Sequence, residues 1–344
     1  MTPASTLSRH SALPALEGLV RETLGVSESV EVREEKVNSR VYRLRCDAVD
    51  GTACSFVAKR LAPEIARRNE LVIRRWLPAI ALGDAAPTLL AVVAERDAAS
   101  VWHLYDDLGD NGLDAAQPGG FVRVAVATIA RLHTRFAGHA LIPECRLWGG
   151  DLGSRFYVAS VRDAIASLEA MCARRPRLAA ERSSVCAQLL ARLADLRDEE
   201  AQRAEALTRS GGPETLLHGD LWPMNVLVGL RGRSTWVRLI DWDHAGVGPV
   251  AYDLSTFLSR FPVRDRMPIL RLYEEEVARA GWALASDAEL NLTFETAELG
   301  RIANRVIWPA LAAWKDGADW ALDALEEIER WFEQLAPLLP LDDA

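Results

Sequence analysis

Short apolar segments separated by turn residues dominate the first hundred positions of the chain, whereas later positions repeat apolar residues at helical spacing. Segments rich in β-branched and aromatic residues predict five strands, at 29–36, 40–48, 53–60, 88–94 and 100–105. Helical spacing predicts a short helix at 13–24 and a second at 63–77, with proline in its first turn. The dipeptide Asp50-Gly51 indicates a hairpin turn between the second and third strands.

Positions after about 110 are predicted to be mainly helical. The periodicity predicts helices at 120–138, 156–174 and 181–208, and three or four more within 264–338. The segment 141–154 contains Trp148 and the pair Gly149-Gly150, and this composition predicts a loop. Short strands are predicted on both sides of 218–225 and at 236–240. A Gly-Pro turn at 246–249 is predicted to lead into a helix near Tyr252.

Three polar side chains, His218, Asp220 and Asn225, stand between two apolar runs that are typical of short buried strands. A carboxylate such as that of Asp220 can orient a substrate hydroxyl and accept its proton during phosphoryl transfer. An amide oxygen such as that of Asn225 can bind a magnesium ion held on nucleotide phosphates. The spacing therefore makes Asp220 a candidate catalytic residue and Asn225 a candidate metal ligand.

Two acidic residues follow the strand predicted at 236–240. Asp241 comes directly at the exit of that strand, and Asp243 comes two positions later. Magnesium held by substrate phosphates typically takes only one or two protein carboxylates. Asp241 is therefore predicted as the second metal ligand, and Asp243 is a further candidate.

The motif His218-x-Asp220-x-x-x-x-Asn225 is followed by Ile240-Asp241-Trp242-Asp243 and then by Gly248-Pro249-x-x-Tyr252-Asp253-Leu254. In this order and at this separation, the motifs resemble the aminoglycoside phosphotransferase and choline kinase-like family, which are ATP-dependent small-molecule kinases. A lone His-x-Asp would be far less specific. Members often carry Gly-Asp-Pro where this chain has Val-Gly-Pro at 247–249.

The resemblance implies an α+β, bilobal, protein-kinase-like fold. Residues 1–104 would form a nucleotide-binding lobe with a small antiparallel sheet and one helix. Residues 105–109 would form the hinge, and 110–344 would form a larger, mainly helical lobe for catalysis and acceptor binding. Asp253, at the start of a helix, would brace the catalytic loop through that loop's backbone amides.

The resemblance also implies a nucleotide site in the first lobe. Lys59 ends an apolar strand and matches the lysine that contacts the α- and β-phosphates of ATP and pairs with a glutamate on the next helix. Glu70 is the predicted partner, with Glu64 as the alternative. Ser39 lies in a polar loop without the glycines of a protein kinase, and its hydroxyl is a predicted phosphate contact.

The predicted hinge is the segment Asp106-Asp107-Leu108-Gly109, where acids and glycine interrupt the strand pattern. In the family such a segment holds the adenine by backbone hydrogen bonds. Asp106 and Leu108 are therefore predicted to border the nucleotide.

The charge of the chain lies mostly in its second part. Residues 1–104 contain 14 Lys and Arg against 13 Asp and Glu, whereas residues 105–344 contain 26 against 36. An acidic field attracts a cationic acceptor and repels a nucleic acid backbone, although the same charges also simply solvate helical surfaces. We expect no nucleic acid partner.

The cellular compartment is predicted from the apolar runs, the N-terminal residues and the cysteines of the sequence. No run approaches the roughly 18 apolar residues that span a bilayer, and the N-terminal residues lack a secretory signal pattern. Five scattered cysteines indicate reduced thiols. We therefore expect a cytoplasmic protein without a membrane partner, as a monomer or a homodimer.

The predicted activity is transfer of phosphate from ATP, with Mg²⁺, to a hydroxyl of a small molecule. A cationic acceptor, either an aminoglycoside or an amino alcohol, is favoured by the charge, and a sugar or other metabolite is the alternative. A nucleotide-binding scaffold without turnover is the alternative of another class. A protein kinase lacks support because Asp-Trp-Asp replaces Asp-Phe-Gly. A metal hydrolase built on His218, Asp220, Asp241 and His244 lacks a recognisable ligand spacing.

Overall fold

The computed structural model describes residues 32–47, 53–114, 119–174 and 180–340 together with Leu16, Gly18, Val20 and Arg21, except for the side chains at 180, 181 and 183. These residues form two compact units. The first contains the described residues up to Gly112 and the segment Leu227–Asp243, and the second contains Leu113–Val226 and the described residues from His244 onward. The predicted turn at Asp50-Gly51, and the predicted helix at 13–24 apart from the four residues named, lie outside this description.

An antiparallel sheet of five strands forms the first unit, in the spatial order β1-β2-β3-β5-β4. The strands are β1 (Val32–Lys36), β2 (Val41–Asp47), β3 (Ala53–Leu61), β4 (Leu89–Ala94) and β5 (Val101–Asp106). Because side chains alternate between the two faces of a strand, Leu44, Phe56 and Leu104 are buried in one apolar cluster. The five predicted strands are confirmed, with ends shifted by at most a few residues.

One helix, α1 (Pro63–Leu71), follows β3 and continues through a wider turn at Val72–Trp76 to Ala79. Pro63 lies in its first turn, where a missing backbone N–H costs no hydrogen bond. Trp76 is fully buried. The helix predicted at 63–77 is confirmed.

A hairpin also belongs to the first unit, although it lies more than a hundred residues later in the chain. Its strands are β7 (Val226–Arg231) and β8 (Ser234–Leu239). The hairpin is tied to the residues after the sheet because the N–H of Val228 donates to the carbonyl oxygen of Asn111 over 2.9 Å. This connection places the exit of β8, with Asp241 and Asp243, in the same unit as the sheet.

The second unit is mainly helical. Its described helices are α2 (Gly119–Phe136), α3 (Ile142–Gly149), α4 (Ser154–Arg174), α5 (Ala180–Asp198), α6 (Glu200–Ser210), α7 (Ala251–Ser259), α8 (Val263–Ala278), α9 (Asp287–Asp316) and α10 (Trp320–Gln334). The long helix α9 packs against α4, α6, α7 and α10. A capping box between Ser286 and Glu289 starts α9, and Gly317 ends it in the left-handed conformation. The α+β, protein-kinase-like fold class is therefore confirmed.

Two predictions about the second unit are wrong, and glycine explains both. The segment 141–154 is not a loop, because Ile142–Gly149 forms α3 and its glycines mark only the helix end. The Gly-Pro segment at 246–249 is not a turn but the strand β9 (Gly246–Pro249), paired antiparallel with β6 (Glu214–Leu217). A Cβ on Gly248 would lie 2.9 Å from the backbone of Leu152, so glycine permits this close packing.

The single helix predicted at 181–208 is two helices in the structure, α5 and α6, with Glu199 between them. Neither glycine nor proline marks this break. The helix α5 packs against α4 and α10, whereas α6 packs against α4 and α9. Tertiary packing thus overrides a uniformly high helix propensity. The three helices after residue 263 agree with the predicted three or four.

The remaining sequence-wide expectations concern membranes and cysteines. Within the described part of the chain, none of the helices combines the length and apolar content needed to cross a bilayer. None of the five cysteines, all of which the structure describes, forms a disulfide.

Candidate active site

Lys59 lies at the centre of an ionic cluster in the first unit. Its Nζ is 2.5 Å from Oδ1 of Asp241 and 2.7 Å from Oδ1 of Asp243. The side chains of Lys59 and Asp243 are only 11% and 7% exposed, whereas that of Asp241 is 44% exposed. Of the three side chains, that of Asp241 is therefore the most accessible to a ligand.

The backbone of Asp241 adopts the left-handed conformation, with a φ of 66°. This conformation is uncommon for a residue other than glycine and costs roughly 1–2 kcal/mol. Outliers of this kind occur often at functional sites, where the surrounding structure holds them in place. Here Trp242 is buried, and its Nε1 donates to the carbonyl oxygen of Leu239 over 2.9 Å. These contacts of Trp242 therefore hold the turn that carries Asp241 in place.

Asp243 is held from helix α1. The buried side chain of Asn69 donates from Nδ2 to Oδ1 of Asp243 over 3.0 Å, and Arg68 donates to the Asp243 carbonyl oxygen. Sequence reasoning missed both contacts. Asn69 was recognisable only as part of the Arg68-Asn69-Glu70 segment, and nothing local marks it as the inward-facing residue.

The prediction that Glu70 pairs with Lys59 is wrong for this structure. Glu70 instead accepts from Arg74 over 3.0 Å and lies 3.7 Å from Arg67. Successive helical residues are about 100° apart around the axis, so the buried direction of Asn69 turns Glu70 toward the helix surface. Glu64 has no ion pair with Lys59 either, within the described residues.

A cavity of about 260 Å³ lies in the first unit beside the Lys59 cluster. Its lining includes Lys59 and Asp241 at one end, and Asp106 and Leu108 of the predicted hinge. Ser39 is exposed and does not line the cavity, whereas its neighbour Asn38 does. The cavity thus joins most of the predicted nucleotide contacts within one unit.

Short polar contacts that were not predicted from the sequence order the loop at 37–41 and the predicted hinge segment. Oδ1 of Asn38 accepts from the backbone N–H groups of Arg40 and Val41, over 2.8 and 3.0 Å, which closes a tight turn. Asp107 accepts from the Ser55 hydroxyl over 2.5 Å and forms an ion pair with Arg43. The signal for the first contact was present, because Asn is a typical turn residue.

His103 lies opposite Lys59 on the neighbouring strand β5. Burial, and then the positive charges of Lys59 and Arg74, lower the pKa of His103 to about 4. The imidazole is therefore neutral at pH 7, and its Nδ1 lies 2.9 Å from the Tyr105 hydroxyl. His103 is therefore a buried neighbour of Lys59 that adds no positive charge to the cluster.

The loop that carries Asp220 belongs to the second unit, between β6 and a short turn at Pro223–Asn225. Gly219 has a φ of 81°, and a Cβ there would lie 1.9 Å from the carbonyl oxygen of His244. Only glycine fits this position. The Nδ2 of Asn225 donates to the Asp220 carbonyl oxygen over 2.8 Å, which fixes the amide and leaves its oxygen as an acceptor.

Asp253 braces this loop from the start of helix α7, as predicted. Its carboxylate is fully buried and accepts from the backbone N–H groups of His218 and Gly219, over 2.7 and 2.9 Å. His133 lies 3.3 Å away through Nε2. Burial acts to raise the pKa of Asp253, but the hydrogen bonds and charge of His133 and the other loop contacts outweigh it and lower the pKa.

Each unit, taken by itself, contains oxygen donors of the kind that magnesium bound on nucleotide phosphates takes. Among the described residues, no cluster of three or more His, Cys, Asp and Glu side chains could hold a metal alone. Magnesium needs only one or two protein carboxylates when phosphates and water supply its other oxygens. Asp241 and Asp243 already bind one cationic group, and Asn225 keeps an amide oxygen as an acceptor.

A five-stranded sheet with one helix, a mainly helical second unit, and the Asp220 and Asp241 motifs together define a small-molecule kinase of protein-kinase-like fold. The sequence matches the phosphotransferase enzyme family over residues 30–290, well over half of the 344 residues, and the chain belongs to that family.

Solved structures with the same fold include three small-molecule kinases. A spectinomycin phosphotransferase in complex with ADP and spectinomycin has a TM-score of 0.61 and 14% identity over 95% of each chain. The ethanolamine kinase of Plasmodium vivax has a TM-score of 0.58 and 12% identity, over 90% of this chain and 83% of that one. An amicoumacin kinase in complex with AMP-PNP and Ca²⁺ has a TM-score of 0.56 and 15% identity, over 97% and 98%. No relative was found among curated protein sequences.

Proposed function

We propose that this protein transfers the terminal phosphoryl group of ATP to a hydroxyl group of a small molecule. The observation that carries the proposal is the Lys59 cluster with Asp241 and Asp243 at the end of a cavity bordered by the hinge segment. Family membership and three similarly folded kinases, two of them bound to ADP or AMP-PNP, support a nucleotide in that cavity.

Each polar residue has a proposed task. Lys59 binds the α- and β-phosphates, and the hinge segment around Asp106 and Leu108 borders the adenine. Asp220 orients the acceptor hydroxyl and accepts its proton as the oxygen attacks phosphorus. The Ser39 hydroxyl, in the exposed loop, is a proposed phosphate contact. In this proposal these residues bind the nucleotide and orient and deprotonate the acceptor, and the phosphoryl group passes directly to the acceptor oxygen.

Asn225 and Asp241 are the proposed ligands of Mg²⁺, with Asp243 as a further one. When bound, this ion would neutralise charge on the phosphates. The protein's own contribution is to fix the positions of the side chains that carry the ligand oxygens. The Asn225 amide is fixed by the Asp220 carbonyl oxygen, and Asp243 is fixed by Asn69.

The net charge of the chain predicts a cationic acceptor, such as an aminoglycoside or an amino alcohol, with a sugar or other metabolite as the alternative. Exposed acids such as Asp163, Asp198 and Glu333 contribute much of this charge, with side chains 51%, 75% and 56% exposed. Exposed charges are screened over about 8–10 Å at physiological salt. The acceptor class therefore depends on the side chains that line its cavity.

The proposal is tested by measuring ADP formation by the purified protein with ATP and Mg²⁺. The acceptor panel contains aminoglycosides, amino alcohols, neutral sugars, hydroxy acids and sugar phosphates. We expect one class to stimulate ADP formation and to yield a phosphorylated product by mass spectrometry. ATP binding without stimulation by any acceptor would favour the nucleotide-binding scaffold instead. Absence of ATP binding would disprove both.

We expect Lys59→Met to weaken binding of a non-hydrolysable ATP analogue by about 10- to 100-fold, the range for a hydrogen bond to a charged group. Isothermal titration calorimetry measures this affinity. Arg74→Met is the matched control, because it removes one positive charge from the same unit at a side chain 49% exposed and paired with Glu70. Equal losses in both variants would show that overall charge, and not a phosphate contact, sets the affinity.

A further inference from the structure

A second cavity, of about 440 Å³, lies in the helical unit beside the loop that carries Asp220. Trp222 lines it, and the N–H of Trp222 donates to the Asp220 carbonyl oxygen over 2.9 Å. The other walls come from helices α7, α9 and α10 and from residues that follow the ends of α7 and α10. If Asp220 activates the acceptor hydroxyl, as proposed above, this cavity is where the rest of the acceptor binds.

Three arginines line the cavity, Arg260, Arg301 and Arg305, against two acids, Glu298 and Glu327. One arginine and one acid neutralise each other, because Arg301 forms an ion pair with Glu298. Glu298 also accepts from the Ser255 hydroxyl over 2.7 Å. That acid is therefore already satisfied by the protein and is a poor partner for a ligand cation.

Arg260 and Arg305 are placed differently from Arg301. Each guanidinium lies over a tryptophan ring that lines the same cavity, Arg260 in close contact with Trp222 at 3.5 Å and Arg305 at 5.1 Å from the ring centre of Trp331. Neither arginine forms an ion pair with any carboxylate in the part of the chain that the structure describes. Stacking fixes the plane of a guanidinium and leaves its N–H edge available for a planar anion.

After Arg301 and Glu298 are set against each other, the charged side chains left in the lining are Arg260 and Arg305 against Glu327, a net charge of +1. Burial lowers the pKa of Arg260, the charge of Arg305 lowers it further, and the charges of Glu298 and Asp220 act in the opposite direction. The two guanidinium groups thus lie close enough to repel each other. An anion between them would remove that repulsion and gain charge-assisted hydrogen bonds. An ammonium group would meet the same two arginines, with Glu327 as the one lining acid that the Arg301–Glu298 ion pair does not use.

We propose that the acceptor carries a compact oxyanion, a carboxylate or a phosphate, in addition to its hydroxyl, and that Arg260 and Arg305 bind this group. The assignment of the ligand as the acceptor rests on the proposed function, whereas anion binding in the cavity does not. This inference reverses the expectation of a cationic acceptor, because local charge in a cavity outweighs the net charge of the exposed surface.

The first test measures anion binding without any turnover. Inorganic phosphate and malonate are titrated separately, by calorimetry, into protein saturated with ADP at constant ionic strength. We expect at least one of them to bind, and Arg260→Gln and Arg305→Gln each to weaken that binding by about tenfold, as expected for loss of one charge-assisted contact. The two probes distinguish a phosphate site from a carboxylate site.

The matched control is Arg330→Gln, which removes an exposed arginine from α10 outside the cavity lining. This variant should bind both probes like the wild type. Absence of binding by both probes, or equal weakening in all three variants, would overturn the inference. Because the measurement needs no turnover, it can fail while kinase activity is present, and it can succeed while kinase activity is absent.

The second test compares acceptors in matched pairs, namely glycerol with glycerate, glucose with gluconate, and ribose with ribose 5-phosphate. We expect ADP formation to rise with an anionic member and not with its neutral partner. For that acceptor, Arg260→Gln and Arg305→Gln should raise KM by about tenfold while kcat changes little, because the contact is the same in ground and transition states. Stimulation only by cations, with unchanged KM in both variants, would leave the kinase function standing and disprove this inference.

Discussion

Asp220→Asn is expected to reduce kcat for phosphoryl transfer by about 10²- to 10⁴-fold, the contribution typical of a positioned general base. The amide keeps the shape of the side chain but cannot accept the hydroxyl proton. Nucleotide affinity should stay unchanged, because the proposed phosphate and metal contacts come from Lys59, Asn225 and Asp241 and not from the Asp220 carboxylate. The fold should also stay unchanged, since Trp222 and Asn225 bind the backbone carbonyl oxygen of Asp220 and not its carboxylate. Steady-state ADP formation and calorimetric nucleotide titration measure the two effects.

Asp198→Asn is the matched control for this prediction. It makes the same chemical change in the same unit, at a side chain that is 75% exposed near the end of α5. Its kcat and nucleotide affinity should equal those of the wild type. Should Asp220→Asn retain more than about a tenth of wild-type kcat, Asp220 would be a positioning residue at most, and another group would have to accept the proton.

The residues nearest the proposed chemistry were predictable because their signal is local. Asp220 and Asn225 are five positions apart on one loop, and Asp241 follows a single strand by one position. These short spacings are set by the sequence alone and do not depend on how distant segments pack together. Lys59 was similarly predictable, because a lysine at the end of an apolar strand needs a buried anion nearby.

The partners of Lys59 and the second cavity were not predictable in the same way. Whether Asn69 or Glu70 faces inward depends on a rotation of about 100° in α1, which helical periodicity alone does not resolve at one residue. Arg260 directly follows the end of α7 and Arg305 lies on α9, so the two become neighbours only through packing of α7 against α9. A net charge of −9 for the whole chain cannot show that three arginines share one cavity with only two acids.

Asp253→Ala is expected to lower the free energy of unfolding by about 3–5 kcal/mol at pH 7, the range for breaking a buried polar network by removing one partner. The substitution leaves the buried backbone N–H groups of His218 and Gly219 without their acceptor. Each unsatisfied donor costs about 1–3 kcal/mol. Urea unfolding followed by circular dichroism measures the loss. Activity should fall as well, because the same two N–H groups hold the loop that carries Asp220.

The pH dependence of the unfolding free energy distinguishes loss of the Asp253 charge from loss of packing around its side chain. The pKa of Asp253 is lowered in the folded state, so its stabilising contribution is fully present above the unfolded pKa of about 3.9. That contribution is lost as pH falls toward the folded pKa, where the acid becomes protonated. The difference in unfolding free energy between wild type and Asp253→Ala should therefore be constant from pH 7 to about 5 and shrink below about 4. Asp163→Ala, at a side chain 51% exposed in the middle of α4, should show almost no dependence on pH over the same range. If Asp253→Ala lowered the unfolding free energy equally at pH 3 and pH 7, packing of the side chain, and not its charge, would supply the stability.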